Sequence, residues 1–508
     1  MEFRQQMKRV LWGAASEPEH FLTRWVFLRA LGFVYLIAFV SLWTQVEGLY
    51  GSKGISPIGE FLQHVRDYNE ARHLYACPSL FWIASSDLAL NVMCGLGVSA
   101  SLLLIAGVTP ALSAMAAWLF YFSFACVGQE FLGFQWDVLL LETGFLAIFL
   151  APTSTLLTLT RDEPPSRIVV WLLRWLCFRL LLYSAIVKLS SGDKTWWNLT
   201  AMAVHYQTQP LPTWTAWWMH QLPLWFQKFT TLFVLAFEFL APFTILAPPR
   251  FRRVRYIGAC SMAGFQMLLI LTGNYAYFNL LAIVLCIPLL DDDAFPLKWR
   301  AKVQPLTAST RATSRWRRYF LIPLACALVP LSIVLALDRM SPEIPWPKPI
   351  RTAANTAARF SCVGCYGLFA NMTTERPEIV LEGSNDKEHW LEYEFKYKPG
   401  DVKRRPVFVA PHQPRLDWQM WFAALGDPRD NTWFISFMQR LLEGSPRVLG
   451  LLEKNPFPDN PPKYLRATLY DYTFTDRASG SDGSWWQRKK IREYVPEISL
   501  DDLKVGPQ

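Results

Sequence analysis

A chain of 508 residues that is 52% hydrophobic, 15% aromatic and only 18% charged is poorer in charge than soluble domains, which carry about 25%. Its length exceeds what a single core supports, so at least two structural units are expected. The net charge of +9 lies in short clusters between apolar runs. No continuous basic face is visible, which argues against nucleic-acid binding and leaves membrane topology as the reason for the charge.

Residues 1–24 are polar and charged, with Arg4, Lys8 and Arg9, and show no cleavable-signal pattern. The first apolar run is therefore expected to remain as an anchor. Runs lie near 24–44, 89–108, 110–127, 138–158, 167–189, 225–247, 254–273, 275–290 and 319–337. A bilayer crossing takes about 20 apolar residues, so residues 1–340 are expected to form a polytopic α-helical membrane bundle of about nine spans. With a cytoplasmic N-terminus, the loops after the sixth span (Arg250, Arg252, Arg253, Arg255) and the eighth (Lys298, Arg300, Lys302, Arg311, Arg315, Arg317, Arg318) fall inside, where basic loops belong. An odd span count then puts the chain from about Asp338 onward on the lumenal or periplasmic side. That means the endoplasmic reticulum membrane in a eukaryote and the inner membrane in a bacterium.

Loops 45–88, 128–137 and 190–224 share that outer face. The last holds Trp196, Trp197, Trp214, Trp217 and Trp218, with Trp225 just after it. They read either as an interfacial belt or as a re-entrant aromatic surface against which a soluble domain docks.

From Arg351 the period changes from helical to alternating. Residues 378–382, 390–397, 406–410 and 464–474 read as strands, and 432–442 and 446–454 as helices. The region 351–475 is thus expected to be a β-rich, sandwich-like domain with a helical insertion. Residues 476–508 are expected to be a charged peripheral tail. Within this domain Pro411 to Gly426 combines His412, Arg415, Asp417, Trp418 and Trp421, groups that need specific partners. Such a segment suits a rigid surface or an interdomain seam.

Ionisable residues within spans are costly and mark candidate sites. Reckoning depth from the span ends pairs Glu142 with Lys188 and Glu238 with Arg179. These pairs either fix helix packing or line a polar chamber in which Lys188 could act as a base. Cys362 and Cys365 form a CxxC without a helix start to activate it, so a local disulfide or two free thiols is expected. The seven histidines make no metal cluster, and no cofactor motif is present. Asn198-Leu-Thr200 and Asn371-Met-Thr373 are glycosylation sequons.

Two long motifs, Asn371-Met-Thr-Thr-Glu-Arg-Pro-Glu-Ile-Val-Leu-Glu-Gly-Ser384 and Trp390-Leu-Glu-Tyr-Glu-Phe-Lys-Tyr-Lys-Pro-Gly400, resemble the lipase maturation factor family. So do Leu442-Glu-Gly-Ser-Pro446 and, upstream, Asp137-Val-Leu-Leu-Leu-Glu-Thr-Gly144 and His205-Tyr-Gln-Thr-Gln-Pro-Leu-Pro212. The resemblance implies a non-catalytic membrane protein that assists folding and assembly of secreted lipases, its client partners. His412, Arg415, Asp417, Trp418 and Trp421 would then touch a client or lock the outer domain onto the bundle. A second likeness, of Tyr183-Ser-Ala-Ile-Val-Lys-Leu189 and Trp196-Trp197 to vitamin K-dependent γ-carboxylases, implies the alternative of an intramembrane enzyme using Glu142 and Lys188.

Overall fold

The computed structural model describes residues 19–156, 164–303, 315–341, 343–476 and 483–504. The basic residues Arg4, Lys8, Arg9 and Arg311 lie outside them. Among the described residues the bundle is built from α1 (Phe21–Trp43), α2 (Asp87–Ala106), α3 (Pro110–Val127), α4 (Gln135–Leu150), α5 (Arg167–Ser190), α6 (Leu224–Leu240), α7 (Arg252–Thr272), α8 (Phe278–Cys286) and α9 (Arg315–Met340). Among the described residues seven helices are long and apolar enough to cross a membrane. Seven of the nine expected spans coincide with these helices, and the other two, at α4 and α8, are shorter. Helix α4 is 16 residues long and ends at Leu150, just before Pro152, which cannot continue a helix. Both α4 and α8 are largely buried, so their hydrophobicity serves the bundle core.

The tight joint between α2 and α3 follows from local chemistry. Gly107 takes the left-handed conformation that ends α2, and Pro110 opens α3 at its first position. Helices α1 and α4 meet at Gly144, where a β-carbon would collide with the Tyr35 hydroxyl. Only glycine permits that approach. The N-terminus of α1 is capped by Asp292, whose carboxylate accepts the Phe21 and Leu22 backbone N–H groups at 2.9 Å. A carboxylate there also answers the positive end of the helix dipole.

Helix α10 (Lys348–Arg359) leads into the outer domain. Its elements are β1 (Pro377–Ser384), β2 (Leu391–Glu392), β3 (Glu394–Phe395), α11 (Arg415–Ala424), α12 (Thr432–Leu442), α13 (Pro446–Leu449), β4 (Leu452–Lys454), β5 (Tyr464–Phe474) and β6 (Trp486–Ser499). An antiparallel sheet of order β2-β1-β5-β6 lies beside a two-stranded β3-β4 ribbon. The sandwich expectation thus narrows to one four-stranded sheet, one ribbon and a helical insertion.

Three expectations are overturned. Residues 446–454 are not one helix, because α13 ends at Leu449 and Leu452–Lys454 form β4 against β3. Residues 406–410 are not a strand, because their backbone is satisfied by a side chain of the bundle (Asn274, below). Residues 486–499 are not a peripheral tail, because β6 pairs with β5 from Tyr464↔Ser499 to Phe474↔Trp486. Its exposed run from Gln487 to Glu493 lies at a sheet edge, where charge discourages pairing with other chains and hides the strand from a hydrophobic pattern.

Candidate functional site

The segment around Pro411 runs along the seam between outer domain and bundle. Arg415, at the start of α11, is fully buried. Its Nη2 donates to Asp137 Oδ1 at 2.9 Å and to the Tyr121 hydroxyl at 3.1 Å, and its Nη1 donates to the Phe131 carbonyl. Tyr277 donates to the same Asp137 oxygen at 2.7 Å. Burial alone would lower the Arg415 pKa, but Asp137 and Tyr121 outweigh it and hold it above the ordinary value. A guanidinium suits this place because its planar fork serves several acceptors at once.

Residues 413–421, 423 and 424 of the segment are buried, His412 is half-buried, and Pro411, Phe422, Leu425 and Gly426 are exposed. Asp417 accepts the backbone N–H groups of Tyr397 and Lys398 at 2.8 and 2.9 Å, and burial raises its pKa. Burial, helped by Arg415 and Lys396, pushes His412 down to about 4, so at neutral pH it meets Ser41 Oγ, 2.9 Å away, as an uncharged ring. Trp418 lies edge-on to Trp136 at 4.8 Å, and Trp421 donates from Nε1 to the Thr208 carbonyl at 2.9 Å. From the bundle side, Gln45 donates to the Gln413 carbonyl and accepts from the Arg415 N–H, both at 2.8 Å. Beside this contact a cavity of about 570 Å³ opens between α1 and Lys396, Tyr397 and His412.

Sequence reasoning missed two further clamps. Asn274 donates to the carbonyls of Leu211 and Val407 at 3.1 and 2.8 Å, and its Oδ1 accepts from Val409 and Ala410 at 2.7 and 3.0 Å. Arg376 is buried against the loop carbonyls of Gln207 and Pro210, each at 2.8 Å, and pairs with Glu378 at 2.7 Å. Lys398 completes that group 3.0 Å from the other Glu378 oxygen. The one available signal was Arg376-Pro-Glu378 at the start of β1, since residues two apart share a strand face and these two face inward.

The intramembrane pairs are exchanged relative to expectation. Glu142 pairs with Arg179, and Lys188 with Glu238 at 2.6 Å. The second Glu142 oxygen accepts from the Gly364 N–H at 2.7 Å and the Tyr366 hydroxyl at 2.6 Å, while Arg179 donates to the Gly364 carbonyl at 3.0 Å. Depth counted from span ends failed here because α4 starts beneath the outer domain and the 362–367 segment reaches in to meet it. Glu142 and Lys188 therefore belong to separate pairs, and the catalytic chamber that needed both is not formed. Cys362 and Cys365 are free thiols in this structure, and the turn between them places Gly364 against Glu142. Among the described residues no group of three or more His, Cys, Asp or Glu could hold a metal ion.

The Trp-rich loop divides. Trp217 packs edge-on to Trp485 at 5.3 Å and joins the cluster of Tyr472, Phe474 and Trp486. Trp197 and Trp225 are exposed. Trp214 meets Phe408 edge-on at 5.8 Å, so loop and outer domain share an aromatic ledge on which Phe408 is exposed.

Residues 22–297 match the family model described as the lipase maturation factor transmembrane domain, and residues 362–496 that of the lipase maturation factor C-terminal domain. Proteins named lipase maturation factor 2 from Xenopus laevis and from Homo sapiens are 36% and 34% identical to the chain, each covering 95% of it and 83% of their own length. Lipase maturation factor 1 of Homo sapiens is 36% identical over 97% of the chain and 91% of its own length. No solved structure matches.

Proposed function

The chain belongs to the lipase maturation factor family, and from that premise we propose that it is a membrane-embedded maturation factor for secreted lipases. The observation that carries this reading is the match of both parts of one chain to proteins named for that task. The clamped seam supports it, since a folding factor of this kind needs its outer domain held at the membrane where a client emerges.

On this reading the outer domain and loops 45–88 and 190–224 face the lumen of the endoplasmic reticulum, or the periplasm in a bacterium. The basic clusters at Arg250–Arg255 and Lys298–Lys302 face the cytoplasm. Folding intermediates are held by exposed apolar residues of the outer face, among them Tyr68, Ile83, Trp197 and Phe408, because exposed apolar patches are the physical basis of such binding. Trp418 and Trp421 act as docking residues.

The test is the specific activity of a lipase secreted from cells that lack their own maturation factor and are supplied with this protein. The wild type is expected to raise it. A Trp197→Ser, Phe408→Ser variant of normal abundance and melting temperature is expected to lose about tenfold or more, as for truncated aromatic anchors worth about 2 kcal/mol. A wild type without effect overturns the maturation reading. An unimpaired variant overturns the assignment of the surface.

A further inference from the structure

A second cavity, of about 90 Å³, lies inside the membrane bundle between α5, α6, α7 and α8, under the loop residues Trp196, His205 and Phe369. The seam does not use it. The Lys188–Glu238 pair lines one side, and two amide side chains, Gln266 of α7 and Asn279 of α8, line the other. Both amides are buried, at 5% and 2% exposure, yet Gln266 Oε1 and Asn279 Oδ1 find no hydrogen-bond partner. An unmade hydrogen bond at a buried acceptor costs free energy, so two of them on one chamber indicate a missing donor. His205 brings a further polar group to the lining. Tyr275 donates to Gln209 Oε1 at 2.8 Å and must therefore receive its own bond from His205 Nε2, also at 2.8 Å. Burial lowers the His205 pKa to about 3, so the ring is uncharged at neutral pH and its other nitrogen is an acceptor.

We propose that this chamber binds the hydroxyl head of a membrane lipid alcohol, with the chain leaving between α6 and α7. A hydroxyl donates its one hydrogen to an amide oxygen, or shares it between the two, and can accept from the Lys188 ammonium, which has three N–H groups and gives one to Glu238. A phosphate or carboxylate head would face the Glu238 carboxylate and the amide oxygens without a free cation. The volume admits only a small head, since a water takes about 30 Å³. The rim residues Val234 and Leu269 are half-buried, and neighbouring Phe233 and Leu268 are exposed, so the side of the chamber toward the helix surface is apolar.

The experiment uses the full chain in phosphatidylcholine nanodiscs and a long-chain fatty alcohol carrying a diazirine and an alkyne, with its methyl ether as control. The alcohol is expected to label peptides of α6 and α7. The ether should label them about tenfold less, the effect of one lost hydrogen bond of about 1.4 kcal/mol. Gln266→Leu with Asn279→Leu is expected to reduce alcohol labelling to the ether level at an unchanged melting temperature. If that pair impairs folding, Leu269→Trp, which adds bulk to the apolar lining and leaves the amides in place, is expected to abolish labelling. Equal labelling by alcohol and ether, or labelling indifferent to these variants, would overturn the proposal and leave the chamber as a site for water alone.

Discussion

Arg415→Met is expected to destabilise the folded protein by about 3–5 kcal/mol, the cost of removing one partner from a buried ion pair. Asp137 would keep the Tyr121 and Tyr277 hydroxyls but lose its charged partner Arg415, whose Nη2 donates to Oδ1 at 2.9 Å and whose Nη1 donates to Oδ2 at 3.2 Å. The Phe131 carbonyl would lose its donor as well. Arg415→Lys should recover little, since a single ammonium cannot serve Asp137, Tyr121 and Phe131 together. Arg415→Met combined with Asp137→Leu should recover most of the loss, because an apolar replacement of both partners is often neutral. Thermal unfolding of the detergent-solubilised protein measures all three. An unchanged midpoint for Arg415→Met would show that the pair does not hold the seam.

The second large effect concerns the exchanged intramembrane pairs. Arg179→Met is expected to cost a similar amount, again about 3–5 kcal/mol, since Glu142 would retain only the Gly364 N–H and the Tyr366 hydroxyl. A double-mutant cycle separates the observed pairing from the one expected from sequence. Glu142→Gln and Arg179→Met should couple by about 0.5–3 kcal/mol, whereas Glu142→Gln and Lys188→Met should add to within about 0.5 kcal/mol. Strong coupling of Glu142 to Lys188 would contradict the geometry and reopen the single-chamber arrangement.

What was legible in the sequence follows from which signals are local. The apolar runs gave helices because length and hydropathy are properties of a segment, and the alternation at 464–474 gave β5 with its observed bounds. Pairing partners were not legible. Glu142 and Arg179 meet because the 362–367 segment descends between helices, and no count of residues from a span end contains that path. Residues 406–410 alternate like a strand yet bond to Asn274, a side chain more than 130 positions away. Strand β6 was hidden for the opposite reason, as an edge strand whose exposed charges mask its period. In the seam, Arg415 and Trp418 were legible as residues in need of partners, but the partners themselves, Asp137 and Trp136, are supplied by tertiary packing.

On the proposed function, buried Arg415, Trp418 and Trp421 lock the outer domain onto the bundle, and the exposed aromatics hold the client. Photo-crosslinking tests this most directly, with a benzoylphenylalanine placed singly at Trp197, Phe408 or Trp418 while a secretory lipase is being synthesised. Adducts with the lipase are expected from positions 197 and 408, and from position 418 only internal adducts to the bundle. Lipase adducts from position 418, with none from 197 or 408, would contradict the account and make the seam itself the client site.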